Sequence, residues 1–110
     1  MFGIRCSVTG NESEKMSYFF VASIRISDPE LYQKYIDCAG PVFEKFKGRY
    51  LAVDNEPELL EGQWSYSRSV IIEFPAREDF FQWYHSSEYQ EIVKYRMAAA
   101  ECDTILVKGI

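Results

Sequence analysis

The chain has 110 residues, 47% of them hydrophobic and 26% charged, with eight Phe, eight Tyr and two Trp. That length and aromatic bulk fit one folded domain with a real core and exclude a disordered chain. A formal net charge of −5, with a pI near 4.9, argues against nucleic acid or an anionic membrane as partner, since both demand a cationic surface that displaces counterions.

Residues 1–16 read as a flexible extension. The start, MFGIRCSVTGNESEKMS, lacks the long apolar stretch of a secretory signal and carries acids that a transit peptide avoids. Three cysteines, Cys6, Cys38 and Cys102, leave one unpaired under any bridging scheme, and a reducing cytoplasmic setting suits them. No apolar run approaches the length of a membrane span. Residues 17–110 form the single folded domain.

The first element of that domain is YFFVASIRI, Tyr18 to Ile26. Tyr18, Phe20, Ala22, Ile24 and Ile26 share one parity, and Phe19, Val21, Ser23 and Arg25 the other, which predicts a strand with one apolar face and one mixed face. Asp28 and Pro29 then supply an N-cap and a first helical residue that needs no N–H. Leu31, Tyr32, Tyr35, Ile36 and Ala39 form a helical stripe. Gly40-Pro41 is expected to kink or interrupt it. Val42, Phe43 and Phe46 continue the stripe, and Gly48 is expected to end it in the left-handed conformation.

RYLAVDN gives a short strand, and RSVIIEF, closed by Pro75, gives the strongest one, with Val70, Ile72 and Phe74 on one face. A short helix over 76–84 follows. Ser87 with Gln90 matches a capping box, which starts the next helix at Glu88. Tyr89, Ile92, Val93, Met97 and Ala100 make its expected buried stripe. CDTILVKG is the last strand. The order β-α-β-β-α-β, with the second helical region split, predicts an α+β ferredoxin-like domain: an antiparallel four-stranded sheet with helices on one face.

Helices cover only one face of such a sheet. The other retains Phe19, Val21, Ile71 and two apolar residues of the last strand. Burying five such side chains contributes roughly 8–15 kcal/mol, at about 1.5–3 kcal/mol each. That rivals the stability of a whole domain, about 5–15 kcal/mol. Face-to-face pairing of two copies resolves the exposure, so a homodimer through the open sheet face is expected. On the same face Arg25 and Glu73 are expected to pair across neighbouring strands.

Five fragments in register, DPELYQKY, KGRYLAV, ELLEGQW, RSVIIEFP and SSEYQEIVKYR, resemble domain-of-unknown-function family 1330 over residues 18–109. The resemblance implies a dimeric α+β barrel of ferredoxin-like protomers and no established activity. It is similar in architecture to antibiotic-biosynthesis monooxygenases and muconolactone isomerases, but a fold likeness does not carry function across. By position it points to Arg49, Glu61, Trp64, Arg68, Glu73, Tyr89 and Arg96. The chain departs from the family pattern at Lys47-Gly48, where Gly-Gly is common, and at Ser65-Tyr66-Ser67, where Pro commonly precedes the basic residue.

Among chemistry-bearing residues, the lone histidine, His85, can serve as a general base near neutral pH. Without a nucleophile or ligand set beside it, it reads as a turn residue at a helix end, where a cation is favoured. One His and no paired cysteines give no metal site, and no cofactor motif occurs. Trp64 stands in a loop and can line a pocket for a flat ligand. Arg49, Arg68 and Arg96 can clamp a carboxylate. The sequence thus supports three readings: a barrel binding a small carboxylated or aromatic molecule in a sheet–helix cavity, a cofactor-free isomerase or monooxygenase with Glu73 or His85 as base, and an interaction module without a ligand.

Overall fold

The computed structural model describes residues 17–110. The expected extension, residues 1–16, lies outside the described residues, and Cys6 with it. The elements run β1 (Tyr18–Ile26), α1 (Pro29–Lys45), β2 (Arg49–Asp54), β3 (Arg68–Phe74), α2 (Arg77–Tyr84), α3 (Ser87–Ala99) and β4 (Ala100–Lys108). The strands form one antiparallel sheet in the order β2-β3-β1-β4. This is the α+β ferredoxin-like βαββαβ fold, with the helices packed on one face.

Side-chain parity sets that layering. In β3, Arg68, Val70, Ile72 and Phe74 are buried while the residues between them are half-buried. In β1, Phe20, Ala22 and Ile24 are buried beneath the helices. Against this floor α1 buries Tyr32, Tyr35, Ala39 and Phe43, and α3 buries Tyr89, Val93, Arg96 and Ala99. Trp83 of α2 is fully buried, stacked on Phe43 at 4.6 Å and set against Tyr89 at 4.0 Å between ring centroids. Aromatic side chains therefore carry most of the apolar burial. Strand β2 is an edge strand with every residue exposed, and an irregularity between Tyr50 and Ala52 leaves Leu51 out of register. A bulge of this kind blunts an exposed edge.

Several local expectations are corrected. Helix α1 runs unbroken through Pro41 to Lys45; proline removes one donor there, and packing of the apolar stripe on the sheet carries the helix on. The left-handed residue after α1 is Lys47, with φ 69°, and not Gly48. Gly48 is needed for space instead, because a Cβ there would sit 2.9 Å from Phe43 Cδ1 and 3.0 Å from Phe74. The cap of α3 is Ser86, one residue earlier than expected. Its Oγ accepts from the Tyr89 N–H at 3.0 Å, while the Gln90 side chain donates back to the Tyr84 carbonyl at 2.7 Å. In α3 the buried face includes Arg96, and Met97 is 67% exposed. Strand β4 begins at Ala100, earlier than the expected Cys102.

The Arg25–Glu73 pair does not form. The β1–β3 register sets Phe19 opposite Glu73, whereas the β1–β4 register sets Arg25 opposite Glu101. Arg25 accordingly bonds Glu101 at 2.6 Å, and Glu73 bonds Arg49 at 2.7 Å. Among the described residues no helix is long and apolar enough to cross a membrane.

Candidate functional site

Between the sheet and helices α1 and α3 lies a cavity of about 20 Å³, room for about one water. Its floor is Ala22, Ile24, Val70 and Ile72, and its walls include Tyr32, Tyr35 and Tyr50. Two guanidinium groups reach it, Arg68 from the first residue of β3 and Arg96 from α3. Both arginines are buried, at 9% and 5% exposure, which is rare for a charged side chain.

Sequence logic explains how they arrive there. Arg68 shares the even parity of Val70 and Ile72, so it points to the helix side. Arg96 lies seven residues after Tyr89 and three after Val93, on the inward face of α3. Rings hold both groups: the Arg68 guanidinium stands 5.5 Å from the centroid of Tyr32, and that of Arg96 stands 5.9 Å from Tyr35. Arg68 Nη1 also donates to Asn55 Oδ1 at 3.0 Å.

Among the described residues neither arginine has a carboxylate partner. The Nε atoms of both are buried with no hydrogen-bond acceptor. A buried charge without a counterion is costly, and each unpaired donor adds to that cost. The hydroxyl of Tyr35, a lining residue, shares a hydrogen bond of 2.8 Å with that of Tyr89, which does not itself line the cavity. One proton lies in that bond, which leaves the other hydroxyl proton free to donate. Burial keeps both phenols protonated: it raises Tyr35 well above its ordinary pKa and Tyr89 to about 12, with Arg96 opposing the rise at each. Burial also raises Tyr32, against the pull of Arg68. The polar groups lining the cavity form a donor-rich, positively charged lining.

Of the residues singled out from the sequence, the structure brings Arg68 and Arg96 to the cavity lining, and Tyr89 joins them through its hydrogen bond to Tyr35. Arg49 and Glu73 face the other side of the sheet, where Glu73 accepts from Ser17 Oγ and Arg49, both at 2.7 Å. Those two hydrogen bonds hold its carboxyl below the usual pKa. Trp64 and Glu61 stand in the β2–β3 loop. Trp64 is packed on Tyr66 at 4.9 Å, beside exposed Leu59 and Leu60. His85 is the C-cap of α2, stacked at 5.5 Å on Phe81, whose ring Arg77 also approaches. Tyr35 and Tyr32 belong to the site and were read from the sequence only as a core stripe. A tyrosine in place of Leu at a core-facing position, whose hydroxyl must find a partner when buried, is the signal that marks them.

The open face of the sheet is a second feature. Phe19, Val21, Ile71, Ile105 and Val107 lie together on it by register, and Ile105 and Val107 are 60% and 41% exposed. The Arg25–Glu101 pair, with Tyr66 bonded to Asp103, borders one end of this stripe, and Arg49–Glu73 borders the other.

Comparison with known proteins supports the fold. A protein of unknown function from Rhodopseudomonas palustris superposes with a TM-score of 0.73 at 24% identity, over 87% of this chain and 84% of that one. SnoaB, a cofactor-independent oxygenase from Streptomyces nogalater, gives 0.62 at 13% identity, over 83% and 90%. A dimeric ferredoxin-like protein of unknown function from Thermobifida fusca gives 0.56 at 15% identity, over 86% and 92%. At these identities the likeness concerns the fold alone. No curated protein matches the chain. The model of the domain of unknown function DUF1330 matches residues 17–110, and the chain belongs to that family.

Proposed function

We propose that this protein is a homodimer that binds a small carboxylated or aromatic molecule in the cavity between its sheet and helices. The observation that carries the reading is the pair of buried arginines, Arg68 and Arg96, whose Nε protons meet no acceptor. Ring faces and, for Arg68, Asn55 offset only part of the cost of burying two cations that have no carboxylate partner, and an anionic ligand supplies the rest. The aromatic walls suit a flat or apolar body. Dimerisation follows from the apolar stripe on the open face, bordered by ion pairs in the manner of an interface core and rim, and from dimeric neighbours of the same fold. Glu73 and His85, the bases that an enzymatic reading requires, lie away from the cavity lining, so binding is the reading with support.

The test is a thermal-shift screen of acids, amines and neutral aromatics against the wild-type protein and Ala22→Leu, which fills the cavity floor. A ligand selective for the folded state raises the midpoint. Hits that shift the wild type and leave the filled variant unmoved are expected. Hits that shift both equally place binding elsewhere, and a screen with no hit sinks the ligand.

A further inference from the structure

Resting on the reading that this cavity binds a ligand, we infer that it is a socket for the carboxylate head group of a monocarboxylic acid, seated acid-inward with its apolar body in the mouth. Three observations carry the inference. The first is the donor count. Arg68 Nε and Arg96 Nε both lack acceptors, and the Tyr35–Tyr89 pair retains one hydroxyl proton beyond the 2.8 Å bond that joins them. A carboxylate is acceptor-only and can receive from such donors, whereas an amide brings donors of its own and an ammonium brings nothing else. The second is charge. Two guanidiniums with no carboxylate partner among the described residues repel a cationic ligand and attract an anion. The third is size. A cavity of about 20 Å³ has room for about one water, so it takes the oxygen end of a head group and leaves the rest of the molecule in the mouth. The lining residues that are not buried are Tyr50, 43% exposed, and half-buried Ile36. They mark the mouth, and both present apolar surface to the ligand's body.

The same lining explains the order of preference. Planar, bidentate-capable guanidiniums recognise a carboxylate through paired hydrogen bonds, and here ring faces fix both of them before the ligand arrives. Preorganised donors of this kind discriminate by what they leave unpaired: a neutral isostere brings fewer acceptors and no charge to the two guanidiniums.

The experiment is calorimetric titration of the full chain with matched sets: butyrate, butyramide and butylamine, then benzoate, benzamide and benzylamine, with inorganic phosphate as a separate arm. The acids are expected to bind at least about a hundredfold tighter than their amides, with the amines silent. Arg68→Met and Arg96→Met are each expected to weaken the acids by about ten- to a hundredfold while leaving the amides unchanged. The ranking within the wild-type protein decides the matter even where a variant fails to fold. Amides or amines that bind as tightly as the acids, in a cavity that Ala22→Leu closes, overturn the acid socket and leave the binding reading standing. Phosphate that binds as tightly as the acids overturns carboxylate recognition in favour of a general anion site. Silence from every compound here and in the wider screen removes both.

Discussion

The two faces of the sheet handle charge in opposite ways. On the open face the charged groups that border the apolar stripe are partnered: Arg25 bonds Glu101, Arg49 bonds Glu73, and Asp103 accepts from Tyr66. These pairs border a stripe of apolar side chains that remain partly exposed. On the covered face the apolar side chains are buried, and two arginines among them have no acidic partner. Surface pairs are inexpensive and contribute little, whereas a buried unpaired cation costs stability. The open face thus has its bordering charges partnered and its apolar stripe uncovered, and the covered face the reverse. What each lacks indicates its counterpart: an apolar surface for the first and an anion for the second.

The comparison is broken most forcefully by placing a charge in the middle of the open stripe. Ile105 lies opposite Val21 on that face and is 60% exposed in a lone chain. In a two-fold interface Ile105→Lys acts twice, so the loss is about 3–6 kcal/mol from twice the burial of one aliphatic side chain. That corresponds to a dissociation constant raised by about 10² to 10⁴. Sedimentation equilibrium is expected to show a dimer for the wild type and a folded single chain for the variant. A wild type that sediments as one chain, or a variant that still dimerises, removes the open face as the interface.

This face was legible in the sequence because strand parity is a local property. Phe19, Val21 and Ile71 alternate with core residues whatever the partner strand, so their facing follows without knowledge of pairing. Pairing itself is not local. Arg25 and Glu73 share the face as expected, yet the stagger of β1 against β3 puts them at opposite ends of it, and no single-strand pattern encodes a stagger. The site was legible in part for a similar reason. Arg68 and Arg96 were singled out by position, but hydropathy favoured Met97 as the buried member of α3, since nothing in a helical pattern marks an arginine as inward-facing. The observed cap, Ser86, precedes the expected Ser87 by one residue of identical chemistry, so the pattern alone does not separate them. With Ser86 as cap, Tyr89 stands at the third helical position and is fully buried.

The comparison is sharpened next by neutralising one arginine on each face. Arg96→Met keeps the length and apolar stem while deleting a buried charge that has no carboxylate partner. Replacing buried charge by a hydrophobic isostere is commonly neutral or stabilising, by about 1–4 kcal/mol, so the thermal midpoint is expected to hold or rise even as ligand binding falls. Arg25→Met on the open face removes an exposed pair and is expected to change stability by less than about 1 kcal/mol. Urea denaturation of both variants separates the cases. A loss of more than about 2 kcal/mol for Arg96→Met would show that the guanidinium holds the fold through its contact with Tyr35, and the argument for a functional charge would fall.

The last test separates the faces by pH. Tyr89 has a folded pKa of about 12 because burial disfavours its phenolate, against about 10 in an unfolded chain. Below pH 10 both states are protonated and the group contributes no slope. Between about pH 10 and pH 12 the unfolded chain loses the proton while the folded one retains it, so stability falls as pH rises, by about 1.4 kcal/mol per unit and about 2–3 kcal/mol across the window. Tyr35, also raised by burial, acts in the same direction. Glu73 on the open face works at the other end of the scale. Its pKa is lowered by Ser17 and Arg49, so its contribution is present at neutral pH and lost as acid protonates it. Urea midpoints followed from about pH 8 to about pH 11.5 should therefore decline more steeply in the wild type than in Tyr89→Phe, while Glu73→Gln leaves the alkaline slope unchanged. Equal alkaline slopes in wild type and Tyr89→Phe would mean that the phenol ionises as if in water, and the buried Tyr35–Tyr89 pair behind the cavity would not exist in solution.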